Sequence, residues 1–352
     1  MTSSMKRSIN LVTFVVLLTA QLAVAQKPKT SKATVSAPAP TFIVPVRLEQ
    51  ELLRLSNLSA GKVGICAVHL ESGRTITQNG KDHFPMASSY KVAIATQLLT
   101  RVDSGSVTLD QLVPITKTDF HPGSGMLSER FNWPNSTNSD LSLSVRSLLE
   151  LMLLISDNSA TDICLRLAGG PAAVNACMKR LGVDGLQVNR PTAWLIADCV
   201  GIPMDMSQAW SPARYDSLAK FSTPTTREAS YVAFENDLRD TSTPEAMTLL
   251  LTKLYTQPIL KPASKTLILD IMKRCETGLA RLKGALPPDT EVLHKTGTIG
   301  LTASDVGIIT LPGDAGHVAI SVFVKSSKKE GAVRERTIAE VTRTIYDYFL
   351  FQ

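Results

Sequence analysis

Val306-Gly307-Ile308-Ile309-Thr310-Leu311, a turn at Pro312-Gly313-Asp314-Ala315-Gly316, then Val318-Ala319-Ile320-Ser321-Val322-Phe323-Val324: two apolar runs of strand length lie on either side of a segment holding proline and glycine. β-Branched residues fill both runs and strand-breaking residues fill the turn, so the stretch reads as a hairpin. Beyond it, Ile338, Val341, Ile345 and Phe349 recur at the spacing of one helical face. The other end of the chain mirrors this. Leu48, Leu52 and Leu55 mark a helix that Gly61 is expected to terminate, and Val63-Gly64-Ile65-Cys66-Ala67-Val68 and Arg74-Thr75-Ile76-Thr77 flank Glu71-Ser72-Gly73 as strand, turn and strand. In between, segments 91–102, 144–155, 157–167, 172–181, 244–255 and 264–274 carry apolar residues three and four apart. Strands first and last with helices between predict an α/β chain of the α+β type: one antiparallel sheet built from both chain ends, helices flanking it, and an inserted all-helical lobe. The expected bounds are a sheet lobe at 46–85 and 285–352 and a helical lobe at 86–284. No internal repeat is visible.

Ahead of this domain, Lys6 and Arg7, an apolar run at 11–18 and the small residues Ala23-Val24-Ala25 read as an export signal over 1–25. The run falls short of the roughly 20 residues a bilayer requires, so no stable membrane insertion is expected after cleavage. A periplasmic or secreted protein is expected. Residues 26–45, with Lys27, Lys29, Lys32 and four prolines, have too few large apolar groups to pack and read as a disordered linker to the catalytic domain at 46–352.

Cleavage would take the formal charge from +6, by the two charges of Lys6 and Arg7, to +4, a mild excess. The densest basic run, 325–329, lacks interleaved aromatics and reads as a solvated hairpin end, so no nucleic-acid partner is expected. Cys66, Cys164, Cys177, Cys199 and Cys275 are odd in number, which leaves at least one thiol free, and no pairing can be assigned. Their spacing and the scattered histidines match no metal signature, so no metal and no cofactor is expected. The expected assembly is a monomer.

Three short motifs carry chemistry. Ser88-Ser89-Tyr90-Lys91 opens a helix, and a spacing of three puts the Ser88 hydroxyl and the Lys91 amine on one face. A buried lysine there could accept the serine proton. Alone the pattern is weak, since Ser-x-x-Lys begins at Ser3, Ser59, Ser88, Ser217 and Ser326. Ser156-Asp157-Asn158, at a helix junction, and Lys295-Thr296-Gly297, in an extended segment, each occur once. At ordinary residue usage all three in this order should occur in about one such chain in a thousand. Taken together they assign Ser88 as nucleophile, Lys91 as its base and Ser156 as proton relay to a leaving nitrogen. Asn158 would hold a substrate amide, and Lys295 with Thr296 a carboxylate. Gly297 would let substrate backbone lie against the strand, and the amides of Ser88 and Thr298 would form an oxyanion hole.

These motifs make the chain from about Val46 onward resemble the class A β-lactamases, penicillin-recognising serine hydrolases. Phe84-Pro85-Met86-Ala87-Ser88 with Lys91 is similar to that family's nucleophile segment, Leu154-Ile155-Ser156-Asp157-Asn158 to its second motif and His294-Lys295-Thr296-Gly297-Thr298 to its third. Arg239-Asp240-Thr241-Ser242-Thr243-Pro244 resembles the exit of its Ω-loop. Thr277-Gly278 with Arg281, and Thr302-Ala303-Ser304-Asp305, resemble the subgroup in which an arginine ahead of the third motif supports the substrate carboxylate, the role this implies for Arg281. The resemblance implies a β-lactamase/transpeptidase-like fold and a small-molecule β-lactam substrate, a penicillin or cephalosporin, opened through an acyl-enzyme on Ser88. A D,D-peptidase acting on peptidoglycan stem peptides, and a slowly deacylating β-lactam-binding protein, are the competing readings.

One departure stands out. In the family the Ω-loop begins with an arginine, and a glutamate two residues later activates the deacylating water. Val188-Asn189-Arg190-Pro191-Thr192 fits that entrance, but Thr192 takes the glutamate's place and Ile196 that of the usual asparagine. The segment from Arg190 to Asp240 is also longer than the family's loop. An Arg190–Asp240 ion pair is expected to close its base, and Asp198, Glu228 and Glu235 are the candidate replacements for the missing carboxylate.

Overall fold

The computed structural model describes residues 44–131 and 141–351; the expected export signal, and the expected linker up to residue 43, lie outside them. Five antiparallel strands form the sheet in the order Thr75–Gln78, Lys62–His69, His317–Lys325, Thr302–Thr310, Val292–Ile299. The strand nearest the N-terminus therefore pairs with the last strand, with Cys66 opposite Ser321, and both chain ends build one sheet. Side chains along His317–Lys325 alternate between its faces. Val318, Ile320, Val322 and Val324 pack with Leu48, Leu52 and Leu55 of the helix Val46–Ser56 and with Ile338, Val341 and Ile345 of the helix Gly331–Leu350. Ala319 and Phe323 face the other way, into a cluster with Phe84, Val92, Leu148, Ile163 and Met247 from the central helices. Burial on both faces is why these strands read as unbroken apolar runs.

The helices Lys91–Asp103, Val145–Leu154, Asn158–Ala168, Gly170–Arg180, Pro244–Thr256 and Pro262–Lys273 fall where the apolar spacing put them. Pro244–Thr256 crosses the sheet centre, where the Thr248 hydroxyl contacts Cys66 O at 3.1 Å and Ser321 Oγ at 3.0 Å. Among the described residues no helix is long and apolar enough to cross a membrane. All five cysteines are buried and free.

Two local expectations fail. The first helix stops at Ser56, not at Gly61: a 3-10 turn Asn57–Ser59 follows, and Ala60 adopts the left-handed conformation at φ 48°. Gly61 is needed for proximity instead, since a Cβ there would lie 2.5 Å from Lys325 O. The basic run 325–329 is no hairpin end. It joins the last strand to the last helix and is partly locked down: Lys325 Nζ donates to His83 O at 2.7 Å, and the buried Ser327 donates to Ser59 O at 2.5 Å.

The segment between Arg190 and Asp240 contains three helices that apolar spacing did not single out, Thr192–Val200, Pro212–Ala219 and Pro224–Asn236. Its base closes on a fully buried guanidinium. Arg190 Nε donates to Asp240 at 2.6 Å, as expected, and Nη1 reaches Asp198 at 2.6 Å and Asp237 at 3.1 Å. The other Asp240 oxygen accepts from the amides of Asn189 and Arg190. A buried charge is tolerated only when its donors are met in this way.

Two stability predictions follow from this packing. A Cβ on Gly64 would sit 2.3 Å from the Phe84 ring and 2.8 Å from Pro244, so Gly64→Val should destabilise by about 1–3 kcal/mol, read as a lower urea midpoint at unchanged slope. Asp240→Ala strands the Arg190 Nε and two backbone amides, and should cost about 3 kcal/mol in the same measurement, with Asp240→Asn milder.

Candidate active site

Ser88 lies on a 3-10 turn, Ala87–Tyr90, that runs directly into the helix Lys91–Asp103. Two neighbours pin this turn. On one side Phe84 and Pro85 pair with Ser242 and Thr241, and Met86 N donates to Asp240 O at 3.0 Å, so the exit of the long segment holds the nucleophile's strand. On the other, the strand Val292–Ile299 presses against the turn at Gly297, where a Cβ would meet Met86 O at 2.3 Å and Ser89 N at 3.0 Å. Gly297 is therefore required by the approach of the turn's own backbone, whereas the sequence reading gave the reason as a substrate's backbone. Ala87, at φ 46°, and Ser156, at φ 60°, both hold left-handed conformations that cost a non-glycine residue about 1 kcal/mol or more.

Asp157 fixes the second motif. Its fully buried carboxylate caps the helix Asn158–Ala168 through Ala160 N at 2.8 Å and takes Leu127 N at 2.8 Å. Ser156 and Asn158, on either side, then face Lys91. The Lys91 amine contacts Ser156 O at 2.8 Å, Ser156 Oγ at 3.0 Å and Asn158 Oδ1 at 3.1 Å. Lys295, from the strand Val292–Ile299, reaches the same Ser156 Oγ at 3.0 Å and Thr296 O at 3.0 Å. Both amines are fully buried. Burial, then the charge of Lys295, pushes the Lys91 amine well below its ordinary range, toward a neutral base. Burial also lowers Lys295, to about 8.

Above these amines opens a cleft of about 420 Å³. Ser88, Ser156, Asn158, Thr296, Thr298 and Arg281 line it, so the three motifs and the candidate arginine converge on one space. Lys91, Lys295 and Gly297 lie beneath its surface. Arg281 is held tightly: Nη1 donates to Gly297 O and Ser304 O at 2.9 Å each, Nη2 to Thr298 Oγ1 at 2.6 Å, and Nε to Glu335 at 3.1 Å. It thereby braces the Lys295 strand and the Thr298 hydroxyl. The Asn158 amide, which the sequence reading reserved for a substrate, donates to Pro122 O at 2.9 Å. The 122–125 segment thus sits over the second motif, with Gly123 and Ser124 in the cleft wall.

None of the three candidate carboxylates lines the cleft. Asp198 is bound to Arg190, Glu228 is exposed beside Lys328, and the buried Glu235 accepts from Thr302 and Ser326. Where the wall needed one stands Thr192, whose Oγ1 lies 2.5 Å from Tyr90 Oη, and Ile196 adjoins it. The sequence reading missed the group behind Thr192. Asp162 accepts Thr192 N at 2.6 Å and Ala193 N at 3.2 Å, and its Oδ2 lies 2.5 Å from His121 Nδ1. Helical periodicity contained that signal, because Asp162 follows Asn158 by four residues and so shares its face.

Comparison with known proteins places this geometry. Residues 47–349 match the model of the β-lactamase enzyme family. The β-lactamase VEB-1 of Pseudomonas aeruginosa is 28% identical over 85% of this chain and 90% of its own length. The carbapenem-hydrolyzing β-lactamase KPC of Klebsiella oxytoca is 27% identical over 80% and 82%. Among solved structures, a β-lactamase from Chitinophaga pinensis DSM 2588 matches with a TM-score of 0.69 and 33% identity over 86% of this chain and 99% of that one. An ancestral class A β-lactamase matches with a TM-score of 0.68 and 29% identity over the same shares. By the reach of the family match and by the fold it shares with these enzymes, this chain belongs to the β-lactamase enzyme family and has the class A fold.

Proposed function

We propose that the protein is a serine hydrolase that opens the β-lactam ring of penicillins and cephalosporins through an acyl-enzyme on Ser88. One observation carries this reading: Ser156 Oγ is shared at 3.0 Å by the amines of Lys91 and Lys295, and Ser156 lines the same cleft as Ser88. The order of events follows from the two amines. Lys91, held neutral, takes the Ser88 proton as Oγ attacks the ring carbonyl. The amides of Ser88 and Thr298 receive the oxyanion, and the proton passes from Lys91 through the Ser156 hydroxyl to the departing ring nitrogen. Lys295 remains an ammonium below pH about 8 and, with Thr296, Thr298 and the Arg281 that braces them, attracts the substrate carboxylate. Export supports the same role, since residues 1–25 carry the pattern of a signal and β-lactams and cell-wall peptides are met outside the cytoplasm. The reading includes a monomer.

The absence of a carboxylate from the described cleft wall favours, as a second reading, slow release, with a D,D-peptidase as the form of it that acts on peptidoglycan stems. Release of D-alanine from a synthetic stem peptide identifies that activity.

Intact-mass spectrometry over time with benzylpenicillin tests the main reading. The wild type should gain the mass of one whole penicillin and lose it again, while Ser88→Ala gains nothing; a stable adduct on Ser88→Ala sinks the assignment. The second measurement is pH dependence. With Lys295 losing its charge as pH rises through about 8, kcat/KM for carboxylate-bearing cephalosporins should fall above that pH, and the fall should be absent for an uncharged ester analogue.

A further inference from the structure

A water molecule must attack the Ser88 ester if the enzyme is to turn over, and the described cleft wall offers that water no carboxylate. Asp162 lies behind Thr192. It already accepts the amides of Thr192 and Ala193, and the His121 ring lies against it. A buried carboxylate that takes two amides beside an imidazole is a stabilised anion and a poor base, and the His121 contact holds it below its usual range. What takes its place in the cleft wall is Thr192. Its Oγ1 lies 2.5 Å from the Tyr90 hydroxyl, on the turn that carries Ser88. Just beneath the floor lies the Lys91 amine, one helical turn beyond Ser88, with only neutral oxygens of Ser156 and Asn158 as partners.

From this arrangement we infer that Lys91 serves as the proton acceptor of the second half-reaction as well as the first, with Thr192 as the positioning residue that holds the hydrolytic water. The inference rests on the acyl-enzyme reading above. The water donates one hydrogen bond to Thr192 Oγ1 and gives its other proton to the Lys91 lone pair as its oxygen bonds to the acyl carbon. The tetrahedral intermediate then collapses, the bond to Ser88 Oγ breaks, and Lys91 returns the proton to that oxygen. One water is consumed, Ser88 regains its hydroxyl and Lys91 its lone pair. Tyr90 and Asp162 act through Thr192: one meets its hydroxyl, the other accepts its amide, and together they hold it in place.

Charges facing the Lys91 amine give the step a signature. Lys295 disfavours its protonation, whereas the carboxylates of Asp157 and Asp162 favour it, and the Cys164 thiol, which burial keeps protonated, adds no charge. Neutralising Asp162 should therefore shift the rising limb of the deacylation pH profile to lower pH without abolishing it.

The experiment is time-resolved intact mass with benzylpenicillin across pH 4–9, with acylation and release fitted separately, on the full chain and on Thr192→Val, Thr192→Ser and Asp162→Asn. Acylation in each sample reports that the variant is folded. Thr192→Val should slow release roughly tenfold or more while leaving acylation within about threefold, Thr192→Ser should restore most of the release, and Asp162→Asn should release with its limb moved down. Equal release by Thr192→Val and wild type overturns the inference, as does loss of the limb in Asp162→Asn, which would make Asp162 the base. A wild type that acylates and never releases also overturns it while leaving the acyl-enzyme reading intact. A wild type that takes up no penicillin removes both.

Discussion

Two lysine amines buried on one serine hydroxyl set the terms for the rest of the molecule. Taking a single ammonium out of water is costly, and placing a second beside it makes the cost of charging both prohibitive. The protein resolves this asymmetrically. Burial lowers Lys295 to about 8, where the Asp305 carboxylate still favours its charge, and burial beside Lys295 pushes Lys91 further down. Ser156 Oγ touches both, so it can hand a proton from the neutral amine outward without either lysine entering the cleft. A carboxylate-attracting ammonium and a proton acceptor made from the same residue type thus differ only through their neighbours.

Such a balance holds only while distances hold, and the surroundings are built accordingly. Ser156 is presented in a left-handed conformation by the capped Asp157 next to it, Ser88 follows the left-handed Ala87, and the Lys295 strand is set at contact distance by Gly297. Arg281 joins the carbonyls of Gly297 and Ser304 and so ties the third-motif strand to its neighbour. Strain at Ala87 and Ser156 is sustained because the sheet, the central helices and the Arg190–Asp240 base confine these turns from three sides.

The sheet and the helices packed on it were legible because their cause is periodicity: period two in the strands and three to four in the helices survive in the bare sequence. The floor of the site was legible for a different reason, since Ser88, Lys91, Ser156 and Lys295 sit in short motifs where chemistry restricts residue type. What escaped depends on contacts between distant segments. Gly61 resembles a helix stop, yet its reason is Lys325 O, more than two hundred residues away. The run 325–329 resembles a solvated patch by charge alone, but Ser327 is buried under it. The three helices between Arg190 and Asp240 are short, and their apolar residues serve small satellite clusters, Trp194 with Trp210 and Tyr215 in one and Cys199 with Phe234 and Tyr231 in another, so no single stripe announces them.

Those satellite clusters explain how the wall keeps its shape after the usual carboxylate is gone. The anchoring of the wall is distributed. Asp162 takes the first amides of the helix Thr192–Val200 from behind, Arg190 clamps the loop at its base, and Trp210 packs edge-on against His121 at 4.9 Å while its Nε1 donates to Phe120 O at 3.2 Å. The added helices therefore couple the loop to the 120–125 segment that covers Asn158. With anchoring moved away from the pocket, residue 192 is left free to present a hydroxyl, and Ile196 and Leu195 to present apolar surface, without the loop losing its place against Ser88. The helices of the long segment thus support the cleft wall from outside the cleft.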